Sequence, residues 1–206
     1  MTARGAASAL LALALGLGGC ASASAPPALP RGGGWLDQIL TPWNEAGAPV
    51  PKPPPPSPQQ PENLARCRPG IRGPRTAAER AVTEAGWWLF ADSTGTQGDV
   101  SVVGASSDWD GMCRPWSYQA FVFVGQRFAG TLSPVLMDAR TDGAWQTAKI
   151  ETPLHLSAQF LRYAREDPLC CPSRISEVTY RIELPMSARG SPVLLPMVVD
   201  TRPLPR

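Results

Sequence analysis

The chain has 206 residues, 24 of them proline and 19 glycine, and its 19 basic and 17 acidic side chains leave a formal charge of +2. So even a balance excludes bulk electrostatic attraction to nucleic acid, and past the N-terminus no apolar run of about 18 residues marks a transmembrane helix. There is no glycine-rich phosphate loop, no paired Cys-x-x-Cys knuckle and no Gly-x-Ser-x-Gly elbow, so neither a cofactor nor a metal is expected.

At the N-terminus, Arg4 precedes an apolar stretch from Ala6 to Leu17 that is too short to span a bilayer and ends in Leu17-Gly18-Gly19-Cys20. Those four residues resemble the lipobox of bacterial lipoproteins. The resemblance implies removal of residues 1–19, a diacylglycerol thioether on Cys20 and acylation of the new amino terminus. At about 0.8 kcal/mol per buried methylene, two or three acyl chains hold a protein on a bilayer nearly irreversibly. Ala21 and Ser22 stand where an aspartate is associated with inner-membrane retention, which points to the outer membrane, facing the periplasm.

Residues 20–34 are rich in Ala, Ser, Pro and Gly and have the composition of a flexible tether. Segment 35–45 is short and tryptophan-rich, and helical spacing would put Trp35, Ile39 and Trp43 on one face. That face has three possible resting places: the chain's own domain, a partner helix, or the lipid interface. Residues 46–65 form a proline-rich linker, and its 49–61 core is expected to be a solvated polyproline II spacer of roughly 40 Å.

A single α+β domain is expected over 66–206, with an antiparallel sheet and one packed helix at about 76–85. Thr76 and Glu79 have capping-box spacing, Ala78, Ala81, Val82 and Ala85 share a face, and Gly86 stops the helix. Strands are predicted at 87–90, 99–103, 118–132, 145–151, 154–163, 178–184 and 193–199. The third contains a hairpin whose turn begins at Gly125, and the fifth and sixth are expected to lie side by side. Adjacent Trp87 and Trp88 cannot both face one core if they lie in a strand.

Once Cys20 is assigned to lipid, Cys67, Cys113, Cys170 and Cys171 remain, an even number in an exported chain, and two disulfides are expected. A bond between neighbours needs a strained eight-membered ring, so Cys170 and Cys171 are each expected to reach to Cys67 or Cys113, in either combination. Such loops of roughly 50 to 100 residues correspond to about 4 kcal/mol each.

Three stretches carry a family likeness: Asp110-Gly111-Met112-Cys113, the hairpin Phe121 to Thr131, and Asp167-Pro168-Leu169-Cys170-Cys171-Pro172 followed by Val178-Thr179-Tyr180-Arg181. Over roughly residues 67 to 185 the chain resembles the LppP/LprE group of bacterial lipoproteins. The resemblance implies an envelope lipoprotein and brings no catalytic activity with it.

The expected function is therefore that of a lipid-anchored, non-catalytic binding or assembly module, attached to the membrane through Cys20 and meeting an envelope protein or glycan. Its candidate binding residues are Trp109, Trp116 and the basic run Arg66, Arg68, Arg72 and Arg75, since indoles stack on sugars or anchor proteins and guanidinium groups pair with anions. Two alternatives stand beside it. One is a glycan-directed enzyme using Asp108, Asp110 or Asp142, with His155 as the only imidazole; the other is a passive structural lipoprotein.

Overall fold

The computed structural model describes residues 33–187 and 189–204. The leader 1–19, Cys20 and most of the 20–34 tether lie outside the described residues. Among the described residues nine strands form two antiparallel sheets. The first has the order β1 (Ile71–Arg72), β2 (Trp88–Gln97), β3 (Val100–Trp109), β4 (Pro115–Val124), β5 (Arg127–Thr131). The second has the order β6 (Ala144–Thr152), β7 (His155–Arg162), β8 (Arg174–Glu183), β9 (Val193–Pro203). Both are simple meanders, so each expected strand pairs with its sequence neighbour. The sequence suggested one sheet; the structure divides the strands into two stacked ones.

Side-chain alternation explains the layering. On β3 and β4, Val100, Val102, Tyr118, Ala120 and Val122 face the second sheet and meet Ile150, Leu156, Phe160, Val178, Tyr180 and Ile182. The alternate residues Val103, Ala105, Phe121 and Phe123 point the other way, onto Ala78 and Val82 of helix α2 (Ala77–Glu84). Covered on both faces, β3 is buried along its whole length, its Ser106, Ser107 and Asp108 included. Helix α2 starts at the expected capping box: Glu79 N–H donates to Thr76 Oγ1, and Thr76 N–H donates to Glu79 Oε2.

A second helix, α1 (Gln60–Cys67), was not foreseen. Its cues are modest: Pro61 in the first turn, Glu62 near the N-terminus and Arg66 near the end. α1 lies against β3, where Gln60 donates to Ser107 O (2.6 Å) and Asn63 to Asp108 Oδ1 (3.2 Å).

The largest departure from expectation concerns residues 35–59, which run along the domain as a strap. Ile39 is 93% exposed, so the helical face through it does not form. Instead a short 3-10 turn (Gly33–Asp37) buries Leu36 and lets Trp35, Leu40 and Trp43 pack on the intersheet core. Trp35 lies edge-on to Phe160 at 5.2 Å and Trp43 edge-on to Tyr180 at 6.3 Å. Asp37 reaches the buried Arg162 guanidinium at 2.6 Å, and Asp142 holds it from the other side at 2.9 Å.

Asn44 stitches the two sheets. Its amide donates to Thr131 O on β5 (3.1 Å) and to Leu194 O on β9 (3.0 Å), while its oxygen accepts from Thr131 N–H (2.8 Å). Gly130, with φ +145°, makes room for it, because a Cβ there would collide with the Asn44 amide. The proline stretch is docked rather than a free spacer. Polyproline II makes no internal hydrogen bonds, so Pro51 O is available to accept from the Trp87 indole N–H at 2.7 Å. Pro53 packs where Gly86, at φ +107°, turns out of α2.

The disulfides also differ from the expected pairing. Cys67 at the end of α1 bonds Cys113 in the β3–β4 loop, which uses up both distant partners. Cys170 and Cys171 bond each other on an exposed loop of the second sheet.

Candidate functional site

The four arginines of the basic run lie on three successive elements. Arg66 lies in the last turn of α1 and pairs with Glu62 at 2.9 Å, an exposed i,i+4 pair that adds little stability. Arg68 is exposed on the 3-10 turn (Arg68–Gly70), Arg72 is in β1, and Arg75 is exposed just before α2. Arg72 is anchored: its guanidinium meets the buried Glu79 carboxylate at 2.8 Å. Burial by itself would raise the Glu79 pKa, but hydrogen bonds from the Arg72 side chain and the Arg75 and Thr76 backbone outweigh it and hold the group at about 2.

β1 pairs with β2 through Ile71 opposite Phe90 and Arg72 opposite Leu89. That register places the arginines beside the tryptophan pair. The turn at Gly86 sends Trp87 inward, 2% exposed, and leaves Trp88 42% exposed, as strand alternation requires. Between α1, β1 and β2 lies a groove of about 620 Å³ lined by Leu64, Arg68, Ile71, Arg72, Pro74 and Trp88 among others. It has an aromatic and aliphatic floor with guanidinium groups at its side.

The other candidates do not join it. Trp109 is 2% exposed and belongs to the interior, so it presents no surface; Trp116 is half-buried across the ladder from Asp108. Arg66 and Arg75 border the neighbouring elements without lining the groove. Trp88 was signalled in the sequence only as one of an adjacent pair, and Leu64 depends on a helix that its own residues barely announce.

The three carboxylates considered for catalysis are engaged structurally. Asp108 accepts from Ser57 Oγ (2.6 Å), Asn63 Nδ2 (3.2 Å) and Trp109 N–H (2.8 Å). Asp110 accepts from the backbone N–H of Met112 and Arg114 and forms an ion pair with the Arg114 guanidinium. Those hydrogen bonds overcome the effect of burial and hold Asp110 below the ordinary carboxylate range. Asp142 takes Arg162 Nε and Tyr163 N–H. His155 is exposed on β7 with Thr152 Oγ1 at 3.2 Å from Nδ1. Among the described residues no three His, Cys, Asp or Glu side chains gather in a way that would hold a metal ion, and no helix is long and apolar enough to cross a membrane.

A family model described as LppP/LprE lipoprotein matches residues 95–183, from the last residues of β2 to the end of β8. No curated protein and no solved structure matches the chain. The matched stretch holds β3 to β8 and the intersheet core, along with Gly130 and Arg162, which receive the strap. The strap, α1 and the groove precede it. Over that stretch the chain is thus similar to the LppP/LprE lipoproteins.

Proposed function

We propose that this lipoprotein is a non-catalytic binding module of the cell envelope, lipidated at Cys20, facing the periplasm from the outer membrane, with its reading face in the groove between α1, β1 and β2. The observation that carries this is the meeting of Trp88, 42% exposed, with Arg68 and Arg72 along one groove. An exposed indole offers a stacking face for a sugar ring, and guanidinium groups pair with carboxylate or phosphate through two parallel hydrogen bonds. Together they suit an anionic envelope glycan. Arg72 is fixed by Glu79, which orders its guanidinium beside the groove. Engagement of Asp108, Asp110 and Asp142 by neighbouring donors supports a role without catalysis.

Calorimetric titration of the mature chain with anionic cell-wall glycan fragments tests the reading. Trp88→Ala and Arg68→Ala should each weaken binding about tenfold without altering the fold, as each removes an interaction of about 1–3 kcal/mol. Raising the salt should weaken it further. Unchanged affinity in both variants would remove the groove as the binding face.

A further inference from the structure

We infer that the flank of the sandwich between β2 and β6 is a second binding site, for an anionic single-chain amphiphile of the fatty-acid class. It shares no residue with the glycan groove. The pairing of β2 with β3 breaks register between Leu89 and Thr94, and β1 covers only Leu89 and Phe90. The remainder of β2 therefore has a free edge, which lies opposite the free edge of β6. Between them is a cleft of about 820 Å³, within the size range of small-molecule sites.

The cleft reaches the intersheet core. Phe90, Val102, Tyr118, Trp145, Ile150 and Leu161 line its apolar part. The one hydroxyl among these six is already used, since Tyr118 OH donates to Trp145 O at 3.1 Å. An alkyl chain is thus met mainly by carbon surface; among these six residues the Trp145 indole N–H, buried and without a hydrogen-bond partner, is the one unpaired side-chain donor. Among the described lining residues the charged side chains are Arg114, Arg140 and Lys149, and none is a carboxylate. Arg114 is paired with Asp110, and Lys149 with Glu151. Arg140 has no ion pair among the described residues, and it stands on a fixed turn. Asp138 holds that turn, accepting Ser117 N–H on its carboxylate (2.7 Å) and Thr141 Oγ1 on its carbonyl (2.7 Å), while Ala139 N–H donates to Pro115 O (3.0 Å). A carboxylate head at Arg140 with its chain running toward Ile150 satisfies both parts of the cleft.

An added peptide strand is the weaker occupant. It needs an evenly spaced edge, but the pairing of β6 breaks register at Trp145/Thr147 and again at Ile150/Thr152, and Lys149 stands between the breaks.

The test uses the full mature chain carrying Cys20→Ser, so that its own acyl chains do not compete. It is titrated with dodecanoate, dodecanol and dodecylamine below their aggregation concentrations, and with shorter carboxylates. The expected order is dodecanoate tightest and the amine weakest, with affinity rising about fourfold per methylene. Arg140→Gln should weaken dodecanoate about tenfold and leave dodecanol unchanged. Ala148→Phe, which fills the cleft, should abolish binding of both. Thr147→Trp at the exposed mouth repeats that block should the first variant fail to fold. Binding that survives both blocking variants, a preference for the amine, or no binding at all overturns the site. Equal affinity for acid and alcohol, with Arg140→Gln silent, overturns the assignment of the head group. None of these outcomes bears on Trp88 and Arg68, whose variants are read with glycan.

Discussion

The two flanks of the sandwich are closed in different ways. On the β5–β9 side, Asn44 bonds both edge strands, while Trp35, Leu36 and Trp43 of the same strap fill the core behind them. On the β2–β6 side no such stitch exists among the described residues, and a cleft opens between the two strands. Stability is concentrated on the first side and accessible surface on the second. A rigid flank opposite an open one lets a small domain keep a preformed cavity without losing its fold.

The largest effect should come from removing the seal. Deleting residues 33–45 takes away two tryptophans, a buried leucine and the Asp37 partner of a buried arginine, and each buried large side chain alone is worth about 3–5 kcal/mol. That exceeds the margin of a typical domain, so thermal scans should show no cooperative transition. A cooperative melt close to that of the intact chain would break the comparison.

Next comes Glu79, in the first turn of α2. Its folded pKa, about 2, lies below the ordinary value, so the unfolded state binds the proton more readily. The stability it contributes is fully present above about pH 5 and is lost as pH falls toward 2, a loss of order 3 kcal/mol. Glu79→Gln should lower stability at neutral pH by a comparable amount and flatten the acid limb of a denaturation series. An unaltered acid limb would place the acid sensitivity elsewhere.

Gly130→Ala should cost about 2–3 kcal/mol, through both the collision with Asn44 and the positive φ. Combined with Asn44→Ala, the loss should be less than additive, because the two residues form one contact. Additive losses would mean that the stitch does not work as a unit. On the open flank, Gln146→Ala and Thr147→Ala should stay within about 0.5 kcal/mol by urea denaturation, since both side chains are exposed. Substantial destabilisation there would abolish the contrast between the flanks.

Most of the strand pattern was legible because alternation is a local property. Phe121 to Val124, Val178 to Leu184 and the Thr76–Glu79 cap each carry their signal within a few residues. The division into two sheets was not, since a period of two says which residues share a face and not which sheet owns the strand. Docking of Pro51 depends on Trp87, 36 residues away, and composition alone could not distinguish a docked proline run from a solvated one. Alternation said that one of Trp87 and Trp88 faces outward, but not which. Trp109 did not: its burial depends on long-range packing that its own sequence context does not encode. The vicinal pair became legible only once Cys67 and Cys113 were seen together.

The Cys67–Cys113 bond also determines how the molecule bears force. The anchor expected at Cys20 joins the domain at the strap, so tension between the membrane and a captured polymer acts first on the contacts of Trp35, Asp37 and Asn44. Peeling can run from there through α1 and release about 110 Å of chain at full extension, but it stops at the disulfide, where the load passes by covalent bond into the β3–β4 loop. The strap thus yields like a shock absorber, with a hard stop before the core of paired strands takes any strain.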